Sequence, residues 1–215
     1  LGNLPSPQEL TRRELEDVAQ NDEAVILDTR LDRSAFMRHH VPGALYTPFG
    51  KTFNTYVGSL LEDETQPIVL LIDEDDVEEA VRDLVRIGYD NVVGFADLET
   101  LDRYFLEGGE TESIDEITFD DVDGLLEDEE NVVLDVRYKS EFDEEHVEGA
   151  LNASYTRMPE YAADLPTDKT LLVHCATGRR AAVASSFLKK TGRRVKYVND
   201  VFADRTTEKR TAAIV

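Results

Sequence analysis

Val132-Val133-Leu134-Asp135-Val136-Arg137 decides the fold, because an earlier stretch, Val25-Ile26-Leu27-Asp28-Thr29-Arg30, reads the same way. Each is a short aliphatic run ending in Asp-x-Arg, the pattern of a strand buried on both faces. The match continues on either side. His40-Val41-Pro42-Gly43-Ala44-Leu45 recurs as His146-Val147-Glu148-Gly149-Ala150-Leu151. Thr11 and Thr118 each stand 17 residues before their Asp, and each opens a capping pattern, Thr11-x-x-Glu14 and Thr118-x-x-Asp121. Ile68-Val69-Leu70-Leu71 matches Thr170-Leu171-Leu172-Val173, and helix-like stretches close at Gly88 and Gly192. Agreement of this kind over about 90 positions marks a duplicated domain.

Each copy predicts a capped amphipathic helix, an apolar strand ending in Asp-x-Arg, a polar helix and a His-Val-x-Gly-Ala turn. A second apolar run, a helix closing at glycine and a last β-branched strand (Val92-Val93 and Val195–Val198) follow. Short apolar strands alternating with helices predict an α/β fold, here two domains, each a small parallel-sheet core flanked by helices. The expected boundary is at Gly108-Gly109, giving residues 1–108 and 109–215. Glu107 to Glu130 holds 12 acidic residues and no basic one, and reads as a solvated linker running into the first turns of a helix.

Composition bounds the function. A chain of 215 residues accommodates two domains of about 100 residues, and a 41% hydrophobic content excludes wholesale disorder. The longest aliphatic run, Ile68–Ile72, is far too short for a bilayer, which takes about 20 residues. With 46 Asp+Glu against 23 Lys+Arg, a net charge of −23 argues against nucleic acid and membrane surfaces as partners. The cations are 7 Lys and 16 Arg, and so few lysines among so many carboxylates suit a halophile's salt-rich cytosol. One cysteine, Cys175, allows no disulfide within the chain and no Cys-rich metal site, which points to a reducing cytoplasm. No signal peptide is visible at Leu1-Gly2-Asn3-Leu4-Pro5. The missing initiating Met predicts a fragment or processed product with sequence upstream. No motif demands a cofactor, and His39, His40, His146 and His174 show no metal-ligand spacing.

The copies diverge after the second apolar strand. The later one reads His174-Cys175-Ala176-Thr177-Gly178-Arg179-Arg180-Ala181, the earlier one Ile72-Asp73-Glu74-Asp75-Asp76-Val77. This pairing sets Asp73 in the cysteine's place and shortens the earlier loop by two residues. A cysteine between a buried strand and a helix N-terminus faces the positive end of the helix dipole. Inward loop amides there make an anion nest, and both effects favour thiolate. Gly178 supplies backbone freedom, and Arg179 and Arg180 add charge for an anionic substrate or the thiolate itself. The plain alternative is a small buried apolar residue, the usual fate of a free cysteine.

Val173-His174-Cys175-x-x-Gly178-x-Arg180, with Asp135-x-Arg137 and His146-Val147-x-Gly149-Ala150, resembles the rhodanese family of sulfurtransferases. The resemblance covers nearly the whole chain, as a degenerate first copy and a competent second. It implies that Cys175 attacks a sulfane sulfur donor and becomes a persulfide held by the amides of a six-residue loop, Cys175–Arg180. The sulfur then passes to a thiol or cyanide. It places Asp135 and Arg137 at a structural or site-orienting position, makes His146 a turn and packing residue, and makes His174 buried support. Asn199-Asp200-Val201-Phe202 stands where the family often has Gly-Gly and Trp, and uncharged Ala176 and Thr177 leave the donor open. Leu1-Gly2-Asn3-Leu4-Pro5, Pro48-Phe49-Gly50-Lys51-x-Phe53 and Gly88-Tyr89-Asp90 further resemble fusions in which a metallo-β-lactamase-fold domain of the persulfide dioxygenase type precedes two rhodanese domains. The implied partners are a small anionic sulfur donor, a thiol acceptor and that upstream domain.

Two rivals stand beside this reading. A cysteine phosphatase would use a roomier Cys-x5-Arg loop, whereas Arg180 gives Cys-x4-Arg. A persulfide carrier or docking module would use the same fold without turnover, and the first copy fits that class by itself. Lys169 to Asn199 carries eight basic residues and no acidic one, which predicts a local positive field around the cysteine loop.

Overall fold

The computed structural model describes residues 4–21 and 23–205, so Leu1-Gly2-Asn3 of the fusion-like motif lies outside the described residues. The chain divides into two compact units, Leu1–Ser113 and Ile114–Val215. In chain order the first contains β1 (Gln8–Glu9), α1 (Arg12–Asn21), β2 (Val25–Asp28), α2 (Arg33–Arg38), β3 (Leu45–Tyr46), α3 (Phe53–Leu60), β4 (Ile68–Leu71), α4 (Val77–Arg86), β5 (Val92–Ala96) and α5 (Leu98–Leu106). The second contains β6 (Asp115–Ile117), α6 (Phe119–Leu125), β7 (Asn131–Asp135), α7 (Lys139–Glu144), β8 (Leu151–Asn152), α8 (Met158–Ala162), β9 (Thr170–His174), α9 (Arg179–Lys190) and β10 (Arg194–Val198). The sheets are five-stranded and wholly parallel, ordered β1-β5-β4-β2-β3 and β6-β10-β9-β7-β8, the same topology twice. Helices cover both faces of each sheet's centre, which is why β4 and the end of β7 are buried without alternation.

The division at Ser113 differs from the expected Gly108-Gly109. The Gly109 amide closes α5 on the Tyr104 carbonyl, and the Tyr104 hydroxyl donates to the Glu110 carbonyl. His40 and Glu112 then exchange both backbone hydrogen bonds at 3.0 Å, tying residues 109–112 to the first unit. The acidic stretch is also less of a linker than its charge suggests. Asp115–Ile117 forms edge strand β6 against β10, where Lys196 Nζ donates to Asp115 at 2.7 Å and Asn199 donates to Glu116 at 2.7 Å. Both threonine capping patterns form: the Thr11 amide donates to Glu14 and the Thr118 amide to Asp121, each at 2.8 Å. Among the described residues no helix is long and apolar enough to cross a membrane.

Candidate functional site

In the second unit β9 runs up the middle of the sheet beside β7, so the loop after it opens above the carboxyl ends of the strands, where α/β sheets place their ligands. Cys175 follows β9 directly and is 1% exposed. Gly178 takes a left-handed φ of 84°, turning the chain into α9 within three residues. Among the described residues the amides of 176–181 donate to no acceptor. Six consecutive free N–H groups at the start of a 12-residue helix form a cradle for negative charge. From beneath, the Phe202 amide donates to the Ala176 carbonyl at 3.0 Å and fixes the loop's first peptide.

His174 points away from the loop into the core. Its ring lies against Phe119 and Phe202, each 5.2 Å between centroids, and Nδ1 meets the Cys175 carbonyl at 3.3 Å. Nε2 is buried without a hydrogen-bond partner, 3.6 Å from Asp135. Burial pulls the imidazole down to about 4 even though Asp135 favours the cation, so this contact is no ion pair at neutral pH. The ring is neutral support for the strand end.

Asp135 is fully buried and chelates its neighbour: the Arg137 amide, Nε and Nη2 all donate to it, Nη2 at 2.6 Å. Arg137 also donates to the Glu145 carbonyl and sits 4.1 Å over the Phe202 ring. The first unit repeats the arrangement with Asp28, Arg30, the His39 carbonyl and Phe105. A device present in a unit without cysteine belongs to the fold. It closes the helix after β2 or β7 back onto the strand end and only indirectly shapes a site. His146 likewise donates from Nδ1 to the Phe142 carbonyl and stacks on Phe142 at 4.0 Å, as His40 does on Phe36.

Arg180, in the first turn of α9, forks onto Glu141 of α7 with bonds of 2.6 and 2.8 Å. It also lies within 6 Å of the Tyr138 and Tyr155 rings, at 5.6 and 5.9 Å. The Tyr138 and Tyr155 hydroxyls are 3.3 Å apart. Hydrogen bonds from Arg180 hold the Glu141 carboxyl below the usual carboxylate range. Glu141 in turn raises the Arg180 pKa, and the Cys175 sulfur adds to this by charge and a hydrogen bond against the cost of burial. The guanidinium therefore feels both the thiol and a carboxylate whose forked bonds offset its charge. Arg179 is exposed and makes no hydrogen bond or ion pair among the described residues. Thr177 is exposed and Ala176 half-buried.

The strand registers correct the pairing of the two loops. Asp28 pairs with Leu71 and Asp135 with His174, so Ile72, not Asp73, occupies the place of Cys175. Both helix ends close alike, with Tyr89 bonded to Leu84 and Arg193 to Leu188, which aligns Ala80 with Ala184. The first loop is then shorter by one residue rather than two, and Asp76 matches Arg180. The His39 and Glu145 carbonyls, both bound by the latch arginine, align Ala35 with Glu141 and Asp32 with Tyr138. Phe49, bonded to Thr29 as Tyr155 is to Val136, matches Tyr155. In the first unit this end borders a cavity of about 490 Å³ lined by Asp73, Glu74, Asp75, Asp76, Asp97 and Glu99, a field of the opposite sign.

Sequence reasoning missed Tyr138, Glu141, Tyr155 and Phe202. The repeat itself carried a signal for the first three, since each is replaced wherever the cysteine is absent. The expected positive field is also redistributed. Arg194 pairs with Glu130 and the Asp168 carbonyl, Lys196 with Asp115, and Arg193 with the Ala162 carbonyl. Lys189 and Lys190 end α9, about 15 Å from its first turn at 1.5 Å per residue. Only Arg179 and Arg180 stand at the loop. No group of three or more His, Cys, Asp or Glu residues among the described residues could hold a metal.

Residues 118–203, within the second unit, match the model of the rhodanese-like domain family. No curated protein matches the chain. Among solved structures, a rhodanese-related protein of Thermoplasma volcanium is 26% identical, covering 44% of this chain and 92% of its own with a TM-score of 0.41. A thiosulfate sulfurtransferase of Pseudomonas aeruginosa is 17% identical over 94% of this chain and 42% of its own, TM-score 0.38. A Rhodopseudomonas palustris protein of unknown function, described as a possible tyrosine phosphatase, is 21% identical over 44% of this chain and 82% of its own, TM-score 0.39.

Proposed function

We propose that the second unit is a sulfurtransferase working through a persulfide on Cys175. The observation that carries this reading is the cradle itself: a sole thiol at the base of a six-residue loop whose amides 176–181 are unpartnered among the described residues. Such a cradle suits a sulfur atom bearing negative charge. The Cys175 thiolate attacks the outer sulfur of thiosulfate, an S–S bond forms at the cysteine, and the donor's S–S bond breaks with its electron pair leaving on sulfite. A low-molecular-weight persulfide would react identically and leave as a thiolate. Cyanide or a thiol then removes the outer sulfur and restores Cys175. The first unit is non-catalytic, since Ile72 offers no nucleophile. No cofactor enters these steps.

Incubation of the intact chain with thiosulfate is expected to add one sulfur atom to Cys175 by intact mass, and cyanide to remove it as thiocyanate. A folded protein at high salt that stays unmodified would sink the proposal. Cys175→Ser is expected to carry no adduct. A carrier or docking module, serving an upstream metallo-β-lactamase-fold domain, would load once yet fail to turn over with thiosulfate and cyanide together. A phosphatase is disfavoured by the Cys175–Arg180 loop, one residue shorter than Cys-x5-Arg.

A further inference from the structure

We propose that Glu141 is a specificity-determining residue: by neutralising Arg180 beside Cys175 it biases the site toward sulfur donors bearing one negative charge and against dianions. The inference rests on the sulfurtransferase reading and names the donor class that reading leaves open.

Three observations support it. Arg180 ends the loop that begins at Cys175, in the first turn of α9, yet both its forked bonds are spent on Glu141, with the pair partly shielded from water at 18% and 31% side-chain exposure. Glu141 is anchored from the other side too, since it accepts from the Tyr138 amide and its place in α7 is fixed by that cap. The pair also belongs to the cysteine rather than to the fold. In the first unit, where Ile72 replaces the thiol, the matching residues are Ala35 and Asp76, while the Asp-x-Arg latch and the stacked histidine persist. A carboxylate needed only to close α7 would have no reason to disappear together with the arginine.

The consequence is electrostatic. A dianion such as thiosulfate arrives at a cradle of amides whose nearest guanidinium is already compensated, leaving Arg179 at the rim. The sulfane end of a persulfide brings one charge and needs less. Removing the Glu141 charge restores the field of Arg180 at the sulfur, and an added unit charge within about 10 Å changes the approach of an anion by roughly three- to ten-fold.

The test compares alkylation of Cys175 by iodoacetate, an anion, and iodoacetamide, a neutral reagent, in the intact chain. The iodoacetate-to-iodoacetamide rate ratio should rise about three- to ten-fold in Glu141→Gln and in Glu141→Ala, the residue the first unit carries at position 35. It should fall below wild type in Arg180→Met, where Glu141 is left unbalanced, and return toward wild type in the double variant. Thiosulfate should gain on glutathione persulfide as the loading donor in Glu141→Gln. A ratio that is unchanged or lower in both Glu141 variants overturns the proposal. Alkylation requires no sulfur transfer, so absence of persulfide loading with the expected ratios would refute the sulfurtransferase reading and leave the charge balance standing.

Discussion

Acidification should loosen the second unit through His174. The imidazole is neutral in the folded chain because burial among Phe119 and Phe202 lowers its pKa from the ordinary 6.5 to about 4. The unfolded chain therefore binds a proton that the folded one refuses, and stability rises with pH through that window. His174 costs nothing above the unfolded value, and the loss grows as pH falls toward the folded value and levels off below it. At about 1.4 kcal/mol per pH unit the full span is roughly 3 kcal/mol, of which about 2 kcal/mol is lost between about pH 7.5 and about pH 5. Urea unfolding at constant high salt across that range, wild type against His174→Gln, isolates it. His40, also pushed down by burial, is common to both proteins and cancels, as does Glu141. Wild type should lose about 2 kcal/mol more than the variant. Parallel pH profiles would refute the argument, because they would mean the ring accepts its proton without leaving the core.

Asp135→Ala strands the Arg137 guanidinium, whose side chain is 7% exposed, and should cost about 3–5 kcal/mol in thermal or urea unfolding; Asp28→Ala should cost less, because Arg30 at 14% reaches more water. Phe202→Ala removes the ring under Arg137 and against His174, and roughly 3–5 kcal/mol of destabilisation with slower thiosulfate loading of Cys175 is expected by mass spectrometry. Ile72→Cys in a Cys175→Ser background puts a thiol at the matched register of the first unit, yet thiosulfate should leave no adduct there, since Asp76 replaces Arg180 and the loop is shorter.

What could be read from residues alone was whatever burial writes into composition. Strands such as Val132–Leu134 announce themselves because parallel sheets are covered on both faces. The cysteine loop was legible because glycine, arginine and the strand end are adjacent in the chain. The Glu141–Arg180 pair was not, because 39 positions separate its halves and only the neighbouring of β7 and β9 joins them. β6 was hidden since Asp115 and Glu116 look like solvent until Lys196 and Asn199 of β10 are set beside them. The pairing of Asp73 with Cys175 went wrong by one residue, because aliphatic runs slide against each other freely. It took the hydrogen-bonded partners of Asp28 and Asp135 to settle the register.

The twin Asp-x-Arg latch also bears on how such a chain can change over generations. Exchanging both partners for apolar residues of similar size is often harmless, but losing either alone leaves a buried charge worth about 3–5 kcal/mol. Each half thus guards the other, and the way out runs through an intermediate that barely folds. The Cys175 thiol, small and held by no ion pair of the kind that joins Asp135 to Arg137, faces no such barrier and can vanish in one substitution. A unit that has stopped doing chemistry would then keep Asp28 and Arg30 long after its cysteine is gone, like a keystone left standing when the doorway beneath it has been walled up.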